Sequence, residues 1–167
     1  KLNATLGLTG SLPAVSGANL TGISAGKVLQ VQSFLLNNIS SVQTTSSSFQ
    51  DSALTDQITP ASASNKVFVM VHLNGHRSHN TSGNAIITVK RAISGGASTD
   101  IGGNQTLRLA HTYITQAQMS AFMVLDSPNT TSAIDYTVQY RSDNSSANCE
   151  IMRHTTANSI TLMEIEG

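Results

Sequence analysis

Three histidines are the residues of this chain best suited to bind a metal ion. They occur in His72-Leu-Asn-Gly-His76-Arg-Ser-His79, at gaps of four and three. Neutral imidazoles at such gaps converge on one ion if the segment folds back as a loop. However, His72 falls on a predicted strand and no cysteine or carboxylate completes a tetrahedral set, although three copies around an axis could supply ligands from different chains. His72, His76 and His79 are therefore ordinary polar residues, receptor contacts or a weak metal site, and we predict no metal and no other cofactor.

Catalysis by paired carboxylates or by an activated serine finds little support in the residue pattern. The nine Asp and Glu residues are scattered at predicted turns and strand ends, where Asp usually forms turns. Glu164 and Glu166 share one strand face, but such a pair at a chain end is more often solvated or ion-paired than placed for glycoside hydrolysis. No Gly-x-Ser-x-Gly elbow and no Gly-Lys-Ser/Thr phosphate loop occurs in the sequence. We predict that the protein is not an enzyme.

The composition indicates a folded protein with a polar but mostly uncharged surface. Ser, Thr and Asn make up about a third of the 167 residues, charged residues make up 11%, and the net charge is zero. The sequence has no run of Lys or Arg to neutralise phosphates, so nucleic acid is not a predicted partner. Apolar stretches are far shorter than the roughly 20 residues that span a bilayer. Because Cys149 is the single cysteine, burial between subunits rather than an intrachain disulfide is the expected stabiliser.

Short strands separated by turn residues predict an all-β protein with an antiparallel β-sandwich or jelly-roll-like head. Residues 1–25 contain apolar residues without a period and predict a separate stalk or linker segment, either a flexible leader or part of an intertwined assembly of several chains, whereas residues 26–167 predict the head. One strand, Lys66–Leu73, is apolar on both alternating sets and is predicted to be central and buried on both faces. Tyr136 and Tyr140 alternate with polar residues and are predicted to point into the core. The predicted strands are Lys27–Leu36, Lys66–Leu73, Ala85–Lys90, Leu107–Ala110, Ala121–Leu125, Asp135–Arg141 and Ser159–Ile165.

Surface loops are the predicted functional parts, because a rigid sandwich tolerates variable loops at its ends. Sugar-binding sites commonly combine an aromatic face with planar polar groups, and Tyr113 beside His111 offers that combination. The predicted loops are 74–84, 95–105 and 142–149. The predicted receptor-binding residues on loops are Asn74, His76, Arg77, His79, Asn80, His111, Tyr113, Asp143 and Asn144.

Six phrases of the sequence occur in a recognisable order: Leu12-Pro-Ala-Val-Ser-Gly-Ala-Asn-Leu-Thr-Gly-Ile23, Gly26-Lys-Val-Leu-Gln-Val31, Ile58-Thr-Pro-Ala-Ser-Ala-Ser-Asn-Lys-Val-Phe-Val-Met-Val71, Leu125-Asp-Ser-Pro128, Tyr136-Thr-Val-Gln139 and Ser159-Ile-Thr-Leu-Met-Glu-Ile165. This ordered set resembles the distal tips of bacteriophage tail fibres. The resemblance implies a homotrimer with an N-terminal stalk and a β-sandwich head, and it carries no defined receptor-contact residues. It implies a virion protein that acts outside the host cell, is joined to other tail proteins on its N-terminal side, and binds a bacterial surface glycan or outer-membrane protein.

Two other functions stay open for a chain of this kind. One is a structural module that trimerises or caps a fibre and whose loops bind nothing. The other is a tailspike-type polysaccharide depolymerase, which is disfavoured because such enzymes usually need longer β-helical scaffolds and paired carboxylates.

Overall fold

The protein is built from antiparallel β-strands, and the residues that the structure describes contain no helix. A computed structural model describes residues 28–37, 41–79, 84–102, 107–109, 118–152 and 157–167. The predicted stalk, residues 1–25, lies outside this part of the chain. The strands are β1 (Val28–Leu36), β2 (Val42–Thr44), β3 (Gln50–Ile58), β4 (Lys66–His79), β5 (Ala85–Ile93), β6 (Ser98–Asp100), β7 (Leu107–Leu109), β8 (Gln118–Asp126), β9 (Ile134–Ser142), β10 (Asn148–Ile151) and β11 (Asn158–Ile165).

The first sheet, here called sheet A, is organised around the long strand β4. Strand β8 pairs with β4 along one edge, and β11 pairs with the first half of β4 along the other edge. Strand β1 lies outside β11, so the local order is β8-β4-β11-β1. At His76, β4 pairs with β8 on one edge and with β10 on the other edge. Strand β10 therefore lies on the same edge of β4 as β11, beyond the end of β11, and β2 pairs with the outer edge of β10.

The second sheet, sheet B, contains β3, β9 and β5 side by side, with β6 and β7 paired to different halves of β5. The turn between β5 and β6 uses Ser94 and Gly95, both with positive φ (48° and 70°), a conformation that glycine adopts readily and other residues only uncommonly. Ile134, Tyr136, Val138 and Tyr140 of β9 are buried, while the residues between them are half-exposed. The predicted alternation of this strand is confirmed.

The core lies between the two sheets and confirms the predicted β-sandwich. Strand β4 contributes Val67, Val69, Val71 and Leu73, which are at most 2% exposed. Because these residues alternate with Phe68, Met70 and His72, one face of β4 points into the sandwich and the other points away from it. The remaining core residues include Leu54, Ile58, Ile87, Val89, Ile134, Tyr136, Val138, Ile151, Ile160 and Leu162.

Three expectations about strands need correction. The second face of β4 is not buried within the single chain, because Met70 on that face is 37% exposed. The predicted loop after Asn74-Gly75 is wrong, because β4 continues through this dipeptide to His79. The pairing with β8 shifts register between Asn74 and His76, so that Gly75 occupies an irregularity in the strand instead of a turn. Strands β2, β3, β6 and β10 were not predicted.

Candidate assembly surface

The first group of predicted site residues lies on a strand rather than on a loop. Asn74, His76, Arg77 and His79 all belong to β4, and the last three face Ile151, Glu150 and Asn148 of β10 in the register of the sheet. The backbone N–H of Asn74 donates to Asn158 Oδ1 at 2.8 Å. The backbone of this segment is therefore held by its own sheet, which corrects the prediction of a variable loop there.

An extended strand separates the three histidines that sequence spacing suggested as metal ligands. Seven residues of strand place His79 roughly 23 Å from His72 along the chain. The convergence on one ion required a loop that folds back, and β4 has no such loop. The extended backbone of β4 therefore does not gather positions 72, 76 and 79 within one chain, and the side chains of His76 and His79 lie outside the described part. Among the side chains that the structure describes, no group of three or more His, Cys, Asp or Glu is placed for a metal ion.

The second group of predicted site residues forms a tight turn between β9 and β10. The carboxylate of Asp143 accepts hydrogen bonds from the backbone N–H and the side-chain amide of Asn84. The backbone carbonyl of Asn144 accepts from the Ser142 hydroxyl and from the Ala147 N–H, each at 2.8 Å. Asp143 and Asn144 thus hold the loop together, and their role in receptor binding remains a prediction. Asn80, His111 and Tyr113 lie outside the described residues.

The two outward faces of the sandwich differ in chemistry, and sheet B has the polar one. Asp51 accepts hydrogen bonds from Lys90 Nζ and Gln139 Nε2, both at 2.7 Å. The bond from Lys90 holds the pKa of Asp51 below its usual value, against the opposing effect of partial burial. Thr55 and Thr137 share a hydrogen bond of 3.0 Å on the same face. This surface satisfies many of its polar groups within the chain.

The outward face of sheet A is apolar and exposed. Of the described residues, nine large hydrophobic side chains are more than a third exposed, and all nine lie on strands of sheet A: Val28, Leu29, Val31, Phe34, Leu35, Met70, Met119, Met123 and Leu125. The register of the strands arranges most of them in rows across the sheet. Five of the nine, Val31, Leu35, Met70, Met123 and Leu125, lie in these rows, whereas Phe34 pairs with the core residue Ile160 and points to the inner side of the sheet. Soluble monomers rarely expose contiguous apolar patches larger than a few hundred Å².

Three rows run across this face, each with one residue from β1, β11, β4 and β8. We call these twelve residues the apolar face. The rows are Val31, Met163, Phe68 and Leu125; Ser33, Thr161, Met70 and Met123; and Leu35, Ser159, His72 and Ala121. Apart from the imidazole of His72, no member of the apolar face has an ionisable side chain.

A shallow pocket opens on the apolar face where its side chains are smallest. Its volume is about 230 Å³, and it lies above His72 between Ala121 and Ser159. Met70 and Met123 form one wall. The lining is almost entirely apolar, so the pocket fits an apolar side chain better than a polar ligand.

Two buried polar clusters hold the strands that carry the apolar face. At one end of β8, Asp126 accepts a hydrogen bond from Arg91 Nη1 at 2.6 Å and another from the Tyr136 hydroxyl at 2.8 Å. Arg91 and Tyr136 belong to sheet B, so this cluster ties the two sheets together. Burial, followed by the contact with Asp126, raises the pKa of Tyr136 far above its ordinary value, so the phenol remains a hydrogen-bond donor.

The second cluster surrounds Glu164 at the end of β11. Its carboxylate accepts hydrogen bonds from Asn65 Nδ2 and Gln30 Nε2, both at 2.6 Å, and from the Ala61 N–H at 2.7 Å. Burial raises the pKa of Glu164, but these hydrogen bonds together outweigh it and hold the pKa below its usual value. The prediction that Glu164 is a solvated or ion-paired strand-end residue is wrong, because its side chain is 1% exposed and is held by neutral donors.

Analysis of the sequence found the strands of the apolar face but missed the face itself. The relevant signal was the set Met119, Ala121, Met123 and Leu125, which alternates with Ser120, Phe122 and Val124. Both sets are largely apolar, so the pattern did not show which of them points outward. The same ambiguity applies to β4.

Comparison with known proteins finds neither a matching family model nor a matching curated protein. Among solved structures, similar chains include VP2 of infectious bursal disease virus in a subviral particle, with a TM-score of 0.46, 9% identity, and coverage of 83% of this chain and 32% of that one. A structure of the Gx strain of infectious bursal disease virus has a TM-score of 0.41, 10% identity and the same coverage. A T=1 particle derived from this virus has a TM-score of 0.40, 7% identity, and coverage of 93% and 41%. This chain thus spans about a third of the first two chains that it matches.

These findings contradict the predicted resemblance to a bacteriophage tail-fibre tip. The structures named above are capsid proteins of an animal virus, and no family model or curated protein supports the resemblance. The prediction of a tail fibre that attaches a virion to a bacterial receptor is therefore wrong. It depended on short phrases rich in Ser, Thr and β-branched residues, which suit strands and turns of many sandwich proteins whatever their function. The coarser prediction of a virion component agrees with what these similar proteins are.

Proposed function

We infer that this chain is a non-enzymatic structural subunit of a virus particle that associates with further copies of itself through the apolar face of sheet A. The observation that carries this function is the position of the exposed hydrophobic side chains. All nine that are more than a third exposed among the described residues lie on strands of sheet A, and five of them belong to the apolar face. Burial of apolar surface is the main driving force of protein association, and a group of exposed apolar side chains on one face marks an interaction site.

The contrast between the two outward faces supports assembly through sheet A. Asp51, Lys90 and Gln139 on sheet B are already engaged with one another and suit contact with water. Met119 and Met123 on β8 are 69% and 61% exposed in the single chain. Methionine is apolar and flexible, so these side chains can adapt to the surface of a protein partner. A sandwich that is polar on one side and apolar on the other has a defined orientation in an assembly.

The assignment to a virus particle keeps the coarser prediction from the sequence, namely that the chain is a component of a virion. Absence of catalysis is part of the proposal because the carboxylates described above either support the fold or belong to the polar face. The homotrimer remains one of the assemblies that the proposal allows.

Replacing an exposed residue of the apolar face by a charged one tests the proposal. Met123→Glu places a carboxylate in the middle of the face, and we expect it to weaken self-association at least about tenfold, since a charge buried without a partner is costly. The matched control is Ala53→Glu, at an exposed position of β3 on the outward face of sheet B. Sedimentation velocity over a range of protein concentrations measures both variants, and circular dichroism checks their folding. Equal association of both variants, or a monomeric parent chain at all concentrations, would contradict the proposal.

A further inference from the structure

The rows of the apolar face have a size pattern that bears on how a second copy fits. In the middle row, Ser33 and Thr161 on β1 and β11 are small, whereas Met70 and Met123 on β4 and β8 are large. In the next row the outer pair has the opposite order, because the large Leu35 is on β1 and the small Ala121 is on β8. Small and large side chains thus occupy opposite halves of the middle row, whereas the row of Val31, Met163, Phe68 and Leu125 is large throughout.

We propose that the apolar face is complementary to itself, and that two copies pack face to face about a two-fold axis that runs parallel to the strands between β11 and β4. The inference rests on the proposed function, because it names the geometry of that association. A rotation of this kind keeps each row at its position along the strands and reverses its order. Strand β1 then lies over the partner's β8, and β11 lies over the partner's β4.

This arrangement places large side chains against small ones. Ser33 lies over the partner's Met123 and Thr161 over the partner's Met70. Leu35 lies over the partner's Ala121. Sheets that pack face to face lie roughly 10 Å apart, so a large side chain opposite a small one fills the gap, whereas two small ones leave a void. The two faces therefore interdigitate in the middle of the contact.

The pocket above His72 gives an independent reason for the same pairing. Its floor and walls include His72, Ala121 and Ser159, which form one row with Leu35. The two-fold rotation brings the partner's Leu35 over Ala121, at the mouth of this pocket. The Leu35 side chain is 53% exposed in the single chain, and the volume of about 230 Å³ admits a leucine side chain. Each copy thus supplies one leucine and one pocket, as an isologous interface requires.

The other two-fold axis in the plane of the face, perpendicular to the strands, gives a poorer fit. It stacks the middle row on itself without reversing it, so that Met70 meets the partner's Met70 and Met123 meets the partner's Met123. Ser33 and Thr161 then also meet their own copies. These small pairs leave a void, whereas the two pairs of methionines have too little space between the sheets. Overfilled and underfilled contacts both destabilise a packed interface.

A second copy also fits the apolar face in charge and in size. Because the face has no Lys, Arg, Asp or Glu, two copies meet without repulsion between like charges. Stable complexes bury roughly 800 Å² per partner, and this face extends across four adjacent strands. Interfaces between identical chains are more apolar than other interfaces, as this face is.

An exchange of side-chain size between Leu35 and Ala121 tests the arrangement. Leu35→Ala leaves the partner's pocket empty, and Ala121→Leu clashes with the partner's Leu35, so each single variant should weaken dimerisation at least about tenfold. The variant that carries both changes places the shortened side chain at position 35 over the enlarged side chain at position 121 of the partner. We expect its dimerisation constant to lie within about threefold of the parent chain.

Both positions are exposed in the monomer, so the variants should fold. Sedimentation equilibrium measures association, and thermal unfolding of the dilute proteins checks stability. A matched control is Ala53→Leu, at an exposed position of β3 in sheet B. This change should leave dimerisation unaltered, because its side chain lies away from the apolar face.

The outcomes separate this inference from the proposed function. Rescue by the double variant supports the two-fold pairing. Additive losses without rescue, or an assembly of three copies, overturn the pairing but leave association through the apolar face intact. A parent chain that stays monomeric, or association that no variant of the face changes, overturns both. A monomer that sediments with phosphatidylcholine vesicles also overturns both, in favour of a lipid surface.

Discussion

Glu164 is a buried anion that is stabilised by neutral hydrogen-bond donors rather than by a cation. Its partners come from β1, from the segment between β3 and β4, and from Asn65 just before β4. A carboxylate that accepts several hydrogen bonds is stabilised in its charged form. One side chain near the end of β11 therefore connects that strand to two parts of the chain that are distant in sequence, the segment before β4 and strand β1 of the apolar face.

Replacement of Glu164 should reveal this role in the free energy of unfolding. Glu164→Ala removes the acceptor and leaves buried donors unpaired, so we expect a loss of about 3 kcal/mol, whereas Glu164→Gln keeps one acceptor and should lose about 1 kcal/mol. The pKa of Glu164 is lower in the folded than in the unfolded chain, so its stabilising contribution is complete above the unfolded pKa and disappears as the pH falls through the folded pKa. Urea unfolding of both variants and the parent chain at pH 7 and at about pH 3 measures these differences.

The control for Glu164 is Glu166→Gln, since Glu166 lies beyond the end of β11 and is exposed. We expect that change to alter stability by less than about 0.5 kcal/mol. If Glu164→Ala is as stable as this control, or if its stability shows the same acid dependence as that of the parent chain, the hydrogen-bonded carboxylate does not have the role described.

Cys149 shows how little a residue type alone says about chemistry. The thiol is fully buried in the core beside Ile151 on the same strand. Burial raises its pKa to about 11, so the thiol stays protonated and unreactive near neutral pH. The sequence showed that Cys149 is the single cysteine, but its burial depends on β10, a strand of four residues that no pattern predicted.

Among the strands, β4 has two faces that are predicted to contribute very differently to folding. Val69 is 1% exposed and points into the sandwich, whereas its neighbour Met70 points to the apolar face. We expect Val69→Ala to lower the free energy of unfolding by about 2 kcal/mol and Met70→Ala to lower it by less than about 0.5 kcal/mol in the monomer. Urea unfolding at low protein concentration measures this difference, and the same pair of variants assayed for self-association should show the opposite order. Equal losses of stability would mean that the outward face of β4 is covered within the single chain.

The strands that sequence analysis predicted are those with a continuous apolar set. Strand β9 was predicted because Tyr136, Val138 and Tyr140 alternate with polar residues. Strand β3 was missed because its inward set includes Ser52, whose hydroxyl donates to the Val138 carbonyl at 2.7 Å. A buried polar residue that is paired by a distant strand looks like a loop residue in the sequence. The extension of β4 beyond Asn74-Gly75 was missed for a related reason, since the pairing with β10 overrides the turn preference of that dipeptide.

The candidate site could not be predicted from single residues because it is a property of register. Val31, Met163, Phe68 and Leu125 lie far apart in the chain and form one row only through three antiparallel pairings. Strands that are apolar on both alternating sets showed that a second apolar surface exists. They did not show whether that surface is buried by another part of the chain or left for another molecule, and this distinction needs the positions of both sheets.

For the molecule as a whole, the two outward faces predict opposite responses to salt. Association through the apolar face involves no Lys, Arg, Asp or Glu, so raising sodium chloride from about 50 mM to about 500 mM should leave its equilibrium constant unchanged or strengthen it. Association through the face of sheet B, with Asp51, Lys90 and Arg141, would weaken instead, because salt screens exposed charges. Sedimentation equilibrium across this range distinguishes the two. A several-fold loss of association at high salt would contradict assembly through sheet A, since a face without such charges has little for the salt to screen.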